Sequence, residues 1–557
     1  MSDRKQHPAV AQSRRAPPRV VVESVEPEID AGRFAIKRIA GDAVDVTAAI
    51  FADGHERVSA ALRDRRAGKG RWRETPMQAL GGDRWRASFR VGAPGRHEYS
   101  LAAWLDAFGT WRDGLARKVQ AGLDVASEQL EGAELVRAAA ARAGGEDAQA
   151  LAEAARGLAS GAPQAARIDA ALAGPLAAAM ARHPDRSDET VLPRVLSVTI
   201  ERERAAVGAW YEFFPRSCGA PGRHGTWKDA RERLRHAAEM GFDVVYLPPI
   251  HPIGTAYRKG PNNAPAAGPG DPGSPWAIGA AAGGHCAVHP ELGDLAEFEA
   301  FVAEAGALGL EVALDIAFQC SPDHPWVREH PEWFRHRPDG TLQYAENPPK
   351  KYQDVYPLDF GCQDWRGLWQ ACLDVFLFWI GRGVTIFRVD NPHTKPFAFW
   401  EWVIAEVRER HPECVFLSEA FTRPSVLEYL AKAGFSQSYT YFTWRNTRWE
   451  LTSYLEELGR PPHREFLRPN FFANTPDINP EFLQLGGRPA FQIRLVLAAT
   501  LSASYGIYGP PYELCVADAG PGPEDYRDSE KYQLRHWDLR APGNIVHFVR
   551  RVNEIRR

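Results

Sequence analysis

From residue 207 to residue 508 the chain alternates short apolar runs with helix-like stretches, and this alternation constrains the fold more than any other feature. The runs are Val207–Pro215, Phe242–Pro249, Glu311–Asp315, the stretches ending at Asp390, Glu419, Thr443 and Asp477, and Ala503–Tyr508. Most are followed by a helical pattern, as in Trp227–Met240, Leu295–Gly309 and Trp365–Arg382. Thr226 with Asp229 three residues on reads as a helix start, and Gly241 as its end. Alternating β and α over eight runs predicts a parallel (β/α)8 TIM barrel, α/β in class, with ligand groups on the loops after the strands. Two loops stand out by length, 251–284 and 318–360, and loops of that size are usually functional.

Other segments precede the barrel. Residues 1–20 are polar and basic and read as disordered. Residues 21–125 carry short alternating runs, such as Val44–Phe51 and Trp85–Val91, separated by Gly, Pro and Asp turns; they predict a β-sandwich. Residues 126–195 turn rich in Ala, Leu, Glu and Arg and predict a small helical insert of about three helices. The barrel domain takes residues 196–557.

Charge narrows the function classes. With 67 basic and 71 acidic residues the net charge is -4, which favours neither nucleic acid nor an anionic membrane surface. No run is apolar enough to span a bilayer, and no signal peptide is visible. The 7 Cys are scattered with no C-x-x-C pair, which fits a reduced, cytoplasmic protein. The 17 Trp and 16 Tyr suit sugar stacking, although most serve packing.

Chemistry concentrates where the strands end. In Thr385–His393, strand alternation sends Arg388 and Asp390 to the same face of an otherwise apolar run. Alone, Arg-x-Asp is well explained as a structural ion pair. Two further acids shift the reading: Glu419 ends the run Val415–Ser418, and Asp477 follows Phe471–Ala473. Carboxylates at the ends of separate strands suggest a carboxylate active site on a barrel rim.

These residues carry a resemblance. Asp315, Arg388, Asp390, Glu419 and Asp477 fall in the order and strand positions of the α-amylase superfamily. Longer strings resemble its group of maltosyltransferases that extend α-1,4-glucans from maltose 1-phosphate. They are Ser321–Trp326, Glu346–Asp354, Phe387–Lys395, Glu419–Pro424, Tyr439–Asn446 and Asp528–Tyr532. The detailed match covers roughly residues 200–557, and the N-terminal segments fit the same layout. Ordinary amylases carry Asn-His where this chain has Gln319 and Cys320, and His where it has Pro476; both departures agree with the phosphate-using group. The chain stops at Arg557, leaving no room for the further β-domain usual after such barrels, so a fragment or an unusual variant is expected.

The resemblance implies a retaining transfer with Asp390 as nucleophile, Glu419 as acid then base, Asp477 gripping ring hydroxyls, and Arg388 keeping Asp390 ionised. It implies phosphate contacts from Asn347, Lys350, Tyr352 and Asn391; Lys350 and Tyr352 share a face of extended backbone. Sugar contacts would come from Lys259, Asn263, Gln319, Asp354, Lys531 and Tyr532. His393 and Lys395 are as well explained by structure as by function. The implied partners are a maltose 1-phosphate donor, an α-1,4-glucan acceptor and a second copy of the chain in a homodimer, with no cofactor. No metal-ligand cluster is evident in the spacing. Two rivals share these residues: a hydrolase or ordinary glucan transferase, for which the phosphate string has no use, and a glycan-binding protein that has lost catalysis, against which the three acids count.

Overall fold

The protein is described here by a computed structural model covering residues 18–348, 350–520 and 522–557, with the side chains of Asn347 and Lys350 outside the described residues. It divides into two compact units, the first ending at Thr199 and the second running from Ile200, with Ala93–Gly95 assigned to the second.

The first unit holds two sheets. One has the strand order Val20–Glu26, Ala43–Ala52, Arg84–Arg90, Gln78–Gly81; the other runs Ile36–Ile39, Leu196–Glu201, Gly95–Leu105, Val58–Arg66, Arg73–Pro76. Alternation buries Val44, Val46, Ala48 and Ile50 along one strand face. Strands end at Leu105, not near residue 125. Asp106 accepts the Gly109 N–H at 2.8 Å and starts a helix, Ala107–Gln120. Four more helices follow: Ala126–Arg142, Gly145–Leu158, Gln164–Leu172 and Gly174–Arg182. Their shared core centres on Trp111, Val136, Leu151 and Leu158. Gly132 is required there, because a Cβ would lie 1.9 Å from the Trp111 ring. Thr190–Val191 and Leu196–Glu201 then return to the sheet, so the helices interrupt the sandwich and do not follow it. Of the segment expected to be disordered, residues 1–17 lie outside the described residues, whereas Arg19 pairs with Asp53 and Glu56.

In the second unit, eight parallel strands close a barrel. They are β1 (Gly208–Glu212), β2 (Val244–Leu247), β3 (Glu311–Ile316), β4 (Ile386–Val389), β5 (Val415–Ser418), β6 (Gln437–Tyr439), β7 (Pro469–Phe472) and β8 (Ser504–Tyr508). Nearly every strand residue is buried, as a sheet covered on both faces requires. Helix Trp227–Glu239 opens with the capping box formed by Thr226 and Asp229. The sixth strand is shorter than its sequence suggests: Tyr441–Trp444 is a 3-10 turn, with the Thr440 hydroxyl accepting the Phe442 N–H. Among the described residues, no helix is long and apolar enough to cross a membrane.

Candidate active site

The ends of β3, β4 and β5 bring three acids onto one cation. Parallel pairing sets Asp315 beside Arg388. Arg388 Nη1 donates to Asp315 Oδ2 at 2.9 Å and to Asp390 Oδ1 at 2.8 Å, while Nη2 lies 2.7 Å from Glu419 Oε1. All four side chains are buried. Tyr246 on β2 donates to Asp315 Oδ2 at 2.6 Å.

One guanidinium cannot neutralise three carboxylates in a buried place, so protons stay on some of them. Burial, reinforced by the charges of Asp390, Asp477 and Asp315 and opposed by Arg388, pushes Glu419 up to about 8. Burial and the Asp390 charge likewise push Asp315 up to about 7 against the pull of Arg388. Asp390 goes the other way. Burial opposes its ionisation, but Arg388 and then Lys395 outweigh it and hold the carboxyl below its ordinary range. Two neighbouring acids in opposite protonation states form the pattern of a nucleophile beside a proton donor.

A cleft of about 990 Å³ opens above this cluster. Of the residues expected at the site, Asp390, Asn391, Glu419, Asp477, Tyr352, Lys259, Gln319, Asp354, Lys531 and Tyr532 line it. Arg388 lies beneath it, with both terminal nitrogens engaged by the acids. Asn391 adopts the left-handed conformation (φ 43°, ψ 52°), which asparagine tolerates better than most residues. Its N–H donates to Glu419 Oε2 and its side-chain amide to Asp390 Oδ2, both at 3.3 Å. Lys395 Nζ caps the Asn391 carbonyl at 3.3 Å and the Asp390 carbonyl at 3.5 Å. Residues 345–347 and 350–352 form a hairpin in which Asn347 pairs Lys350 and Ala345 pairs Tyr352.

Asp477 is set apart from the Arg388 cluster. Its half-exposed carboxylate pairs with Lys531, whose ammonium also lies 4.9 Å from the Trp276 ring centre. Gln319 donates to the Trp276 carbonyl at 3.1 Å, and Lys259 Nζ to the Lys351 carbonyl at 3.2 Å. Asp354 Oδ1 and Asn263 Oδ1 are buried without a hydrogen-bond partner among the described residues. Asn263 does not reach the cleft lining.

Further residues line the cleft that sequence reasoning did not single out: Trp276, Phe421, Trp444 and Glu524. Trp444 Nε1 donates to Glu524 at the wall, and Phe421 meets the Trp444 ring edge-on at 5.1 Å. Glu212 at the end of β1 is buried, flanked in register by Tyr246 and Tyr508.

The expectation of no metal-ligand cluster needs correction. His285, Cys320 and His324 form one group with ligand atoms within 4.8 Å, and His224, His289 and Glu291 another. Their ligands come from distant segments, which spacing cannot reveal. In the first group hydrogen bonds already use the rings. His285 Nε2 donates to the Ala317 carbonyl at 3.0 Å, its Nδ1 accepts from His324 Nε2 at 3.1 Å, and His324 Nδ1 accepts the Trp326 N–H at 3.0 Å.

Residues 18–202 match the family described as alpha-1,4-glucan:maltose-1-phosphate maltosyltransferase, domain N/S. A protein of that name from Chlorobaculum tepidum is 57% identical over 539 residues, covering 97% of this chain and 80% of the relative. Another, from Rhodospirillum rubrum, is 53% identical over 556 residues, with coverage of 96% and 80%. Among solved structures, an α-amylase from Lactobacillus plantarum superposes with a TM-score of 0.50 at 24% identity, over 63% of this chain and 79% of that one, and shares the fold.

Proposed function

Because the chain belongs to the alpha-1,4-glucan:maltose-1-phosphate maltosyltransferase family, we propose that it moves a maltosyl unit from α-maltose 1-phosphate to the non-reducing end of an α-1,4-glucan, releasing phosphate. The observation that carries the chemistry is the placement of Asp390 and Glu419 on the two terminal nitrogens of one guanidinium, an arrangement that favours a carboxylate on the first and a protonated acid on the second.

In the first half-reaction Asp390 attacks the anomeric carbon. The bond from that carbon to the phosphate oxygen breaks, phosphate leaves with the bonding pair, and a β-maltosyl ester forms. Glu419 begins protonated, gives its proton to the departing phosphate oxygen and is left as a carboxylate. In the second half the glucan 4-hydroxyl attacks the same carbon, its proton passes to Glu419, and Asp390 leaves as carboxylate. Two inversions give net retention. Arg388 holds both carboxyls close together, as double displacement requires.

Tyr352, Asn391 and Lys395, all lining the cleft, supply donors for the phosphate; Asn347 and Lys350 belong to the same hairpin as Tyr352. Lys259, Gln319, Asp354, Lys531 and Tyr532 face the sugar side, with Asp477 set to exchange Lys531 for ring hydroxyls. The homodimer implied by the resemblance is part of this reading, and sedimentation of the purified chain tests it.

The deciding experiment follows phosphate release from maltose 1-phosphate with and without a malto-oligosaccharide. Acceptor-dependent release, with products longer by two glucose units, is expected. Equal release without acceptor would identify a hydrolase, and no release would overturn the assignment.

A further inference from the structure

Two stretches far apart in the chain meet at the sugar side of the cleft. The loop 251–284 carries Lys259 and Asn263, and the segment 528–532 carries Lys531 and Tyr532. They are joined by a reciprocal pair. Asn262 Nδ2 donates to Asp528 Oδ1 at 3.0 Å, and the Asp528 N–H donates back to Asn262 Oδ1 at 2.8 Å. Both residues are left-handed, with φ 51° and 54°. That conformation is costly for most side chains and tolerable for Asn and Asp, which can bond locally. The residue types therefore suit both the backbone and the bond.

A second link joins the same two stretches. The buried guanidinium of Arg216 donates from Nη1 to the Gly273 carbonyl at 2.9 Å in the loop, and from Nη2 to the Glu530 carbonyl in the segment. Glu530 is anchored in turn by the Tyr508 hydroxyl. Lys531 lies over Trp276, which also belongs to the loop. Arg216 and the Asn262–Asp528 pair thus join the same two stretches at separate points. Lys259 and Asn263 lie within three residues of Asn262, and Lys531 within three of Asp528, so a shift at the pair moves both sets.

We propose that Asn262 and Asp528 are positioning residues that lock the two stretches into one wall, so that Lys259, Lys531 and Tyr532 meet the donor's sugar as a preformed set. This rests on the reading of the cleft as the donor site. Neither side chain touches the reacting atoms. Their effect is on the entropy of ordering two loops around a ligand, which is lost from binding when the loops move independently.

The pair allows a test by reversal. Asn262→Asp removes the side-chain donor and sets two carboxylates against each other. Asp528→Asn keeps an acceptor oxygen and adds a donor. With both substitutions the amide sits on the segment and the carboxylate on the loop, the same contact with the direction of donation reversed. For Asn262→Asp we expect the donor KM to rise about tenfold or more with kcat within about threefold, the pattern of lost uniform binding. Asp528→Asn should stay within about threefold of the parent, and the double variant should recover most of the loss. An unchanged KM in Asn262→Asp, or a double variant no better than Asn262→Asp, would overturn the proposal.

Hydrogen exchange supplies a readout that needs no substrate. In Asn262→Asp the amides of 257–264 and 526–532 should exchange faster together and slow again in the double variant; exchange rising in one stretch alone overturns the coupling. Should the parent release no phosphate from maltose 1-phosphate, the functional reading fails while this measurement still decides the coupling. Should Asn262→Asp not fold, Asn262→Ala, Asp528→Ala and their combination replace it. Coupling then predicts a combined loss no greater than either single loss, and strictly additive losses overturn it.

Discussion

Asp390 and Glu419 are held by opposite arms of one guanidinium, Nη1 of Arg388 at 2.8 Å from the first and Nη2 at 2.7 Å from the second. A shared cation fixes the distance between nucleophile and proton donor without a loop having to place either. It also makes their protonation interdependent. Each acid raises the cost of ionising the other, and the proton settles on Glu419, which has further acids around it, while Arg388 and then Lys395 favour the carboxylate of Asp390.

The pH dependence follows from that asymmetry. Glu419 is protonated below about 8 and loses its proton above it. The first half-reaction uses the protonated form, so kcat/KM for the donor should fall by up to about tenfold per pH unit above about 8. Asp390, held below its ordinary range, should keep the acidic limb below the usual carboxylate pKa. A donor with a better leaving group, such as α-maltosyl fluoride, should flatten the alkaline limb. A profile level from pH 7 to 9.5 with maltose 1-phosphate would contradict the role given to Glu419.

Removing the shared cation should cost both stability and activity. Arg388→Met leaves Asp315, Asp390 and Glu419 facing one another in a buried place. Breaking such a network by deleting one partner typically costs about 3–5 kcal/mol. Denaturant unfolding at pH 7 should show a loss of that order. Turnover should fall by more than a hundredfold even where the variant is folded, since Asp390 would take up a proton. Lowering the pH should return part of the stability, because the stranded acids then go neutral. A variant with parental stability at pH 7 would mean that the cluster is solvated in solution.

Local features of this structure were readable from the chain, and contacts between distant segments were not. The capping box of Thr226 and Asp229 spans three residues, and strand alternation alone put Arg388 and Asp390 on one face; both appear in the structure. Tyr441–Trp444 misled because its aromatic, β-branched composition suits a strand, while the Thr440 hydroxyl turns the backbone first. Asp106 was a legible helix start overlooked because aromatic residues on either side continued the β pattern. The Asn262–Asp528 pair and the His285–His324 relay join segments 266 and 39 residues apart, and no periodicity encodes them. Trp276, in a Gly- and Pro-rich loop, carried a weak signal: a large aromatic in a functional loop has to pack on something.

Glu212 gives a test of burial without chemistry. Burial first, and then the charges of Asp315, Asp477 and Glu419, push its carboxyl well above the ordinary range, with Arg388 opposing. The folded state thus keeps a proton that the unfolded chain gives up, and this side chain's contribution to stability declines as pH rises above the ordinary carboxylate range. Glu212→Gln carries no such penalty. Its stability relative to the parent should therefore improve steadily from pH 4 to pH 8, read as the difference in urea midpoints. A difference that does not change with pH would show Glu212 ionised and paired in the folded protein.

Two glycines in the helical part of the first unit should respond in opposite directions to the same substitution. A Cβ on Gly132 would meet Trp111 Cζ2 at 1.9 Å, and that indole is buried with its Nε1 donating to the Glu128 carbonyl at 2.7 Å. The ring cannot withdraw without giving up both its packing and its bond, so Gly132→Ala should destabilise by about 1–3 kcal/mol. A Cβ on Gly114, in helix Ala107–Gln120, meets nothing within 4 Å. There the lower backbone entropy of alanine acts alone, and Gly114→Ala should stabilise by about 0.5–1 kcal/mol. Urea unfolding followed by far-UV circular dichroism resolves the pair. Equal shifts of one sign would mean that the Trp111 contact with the helix Ala126–Arg142 is looser in solution than its geometry indicates.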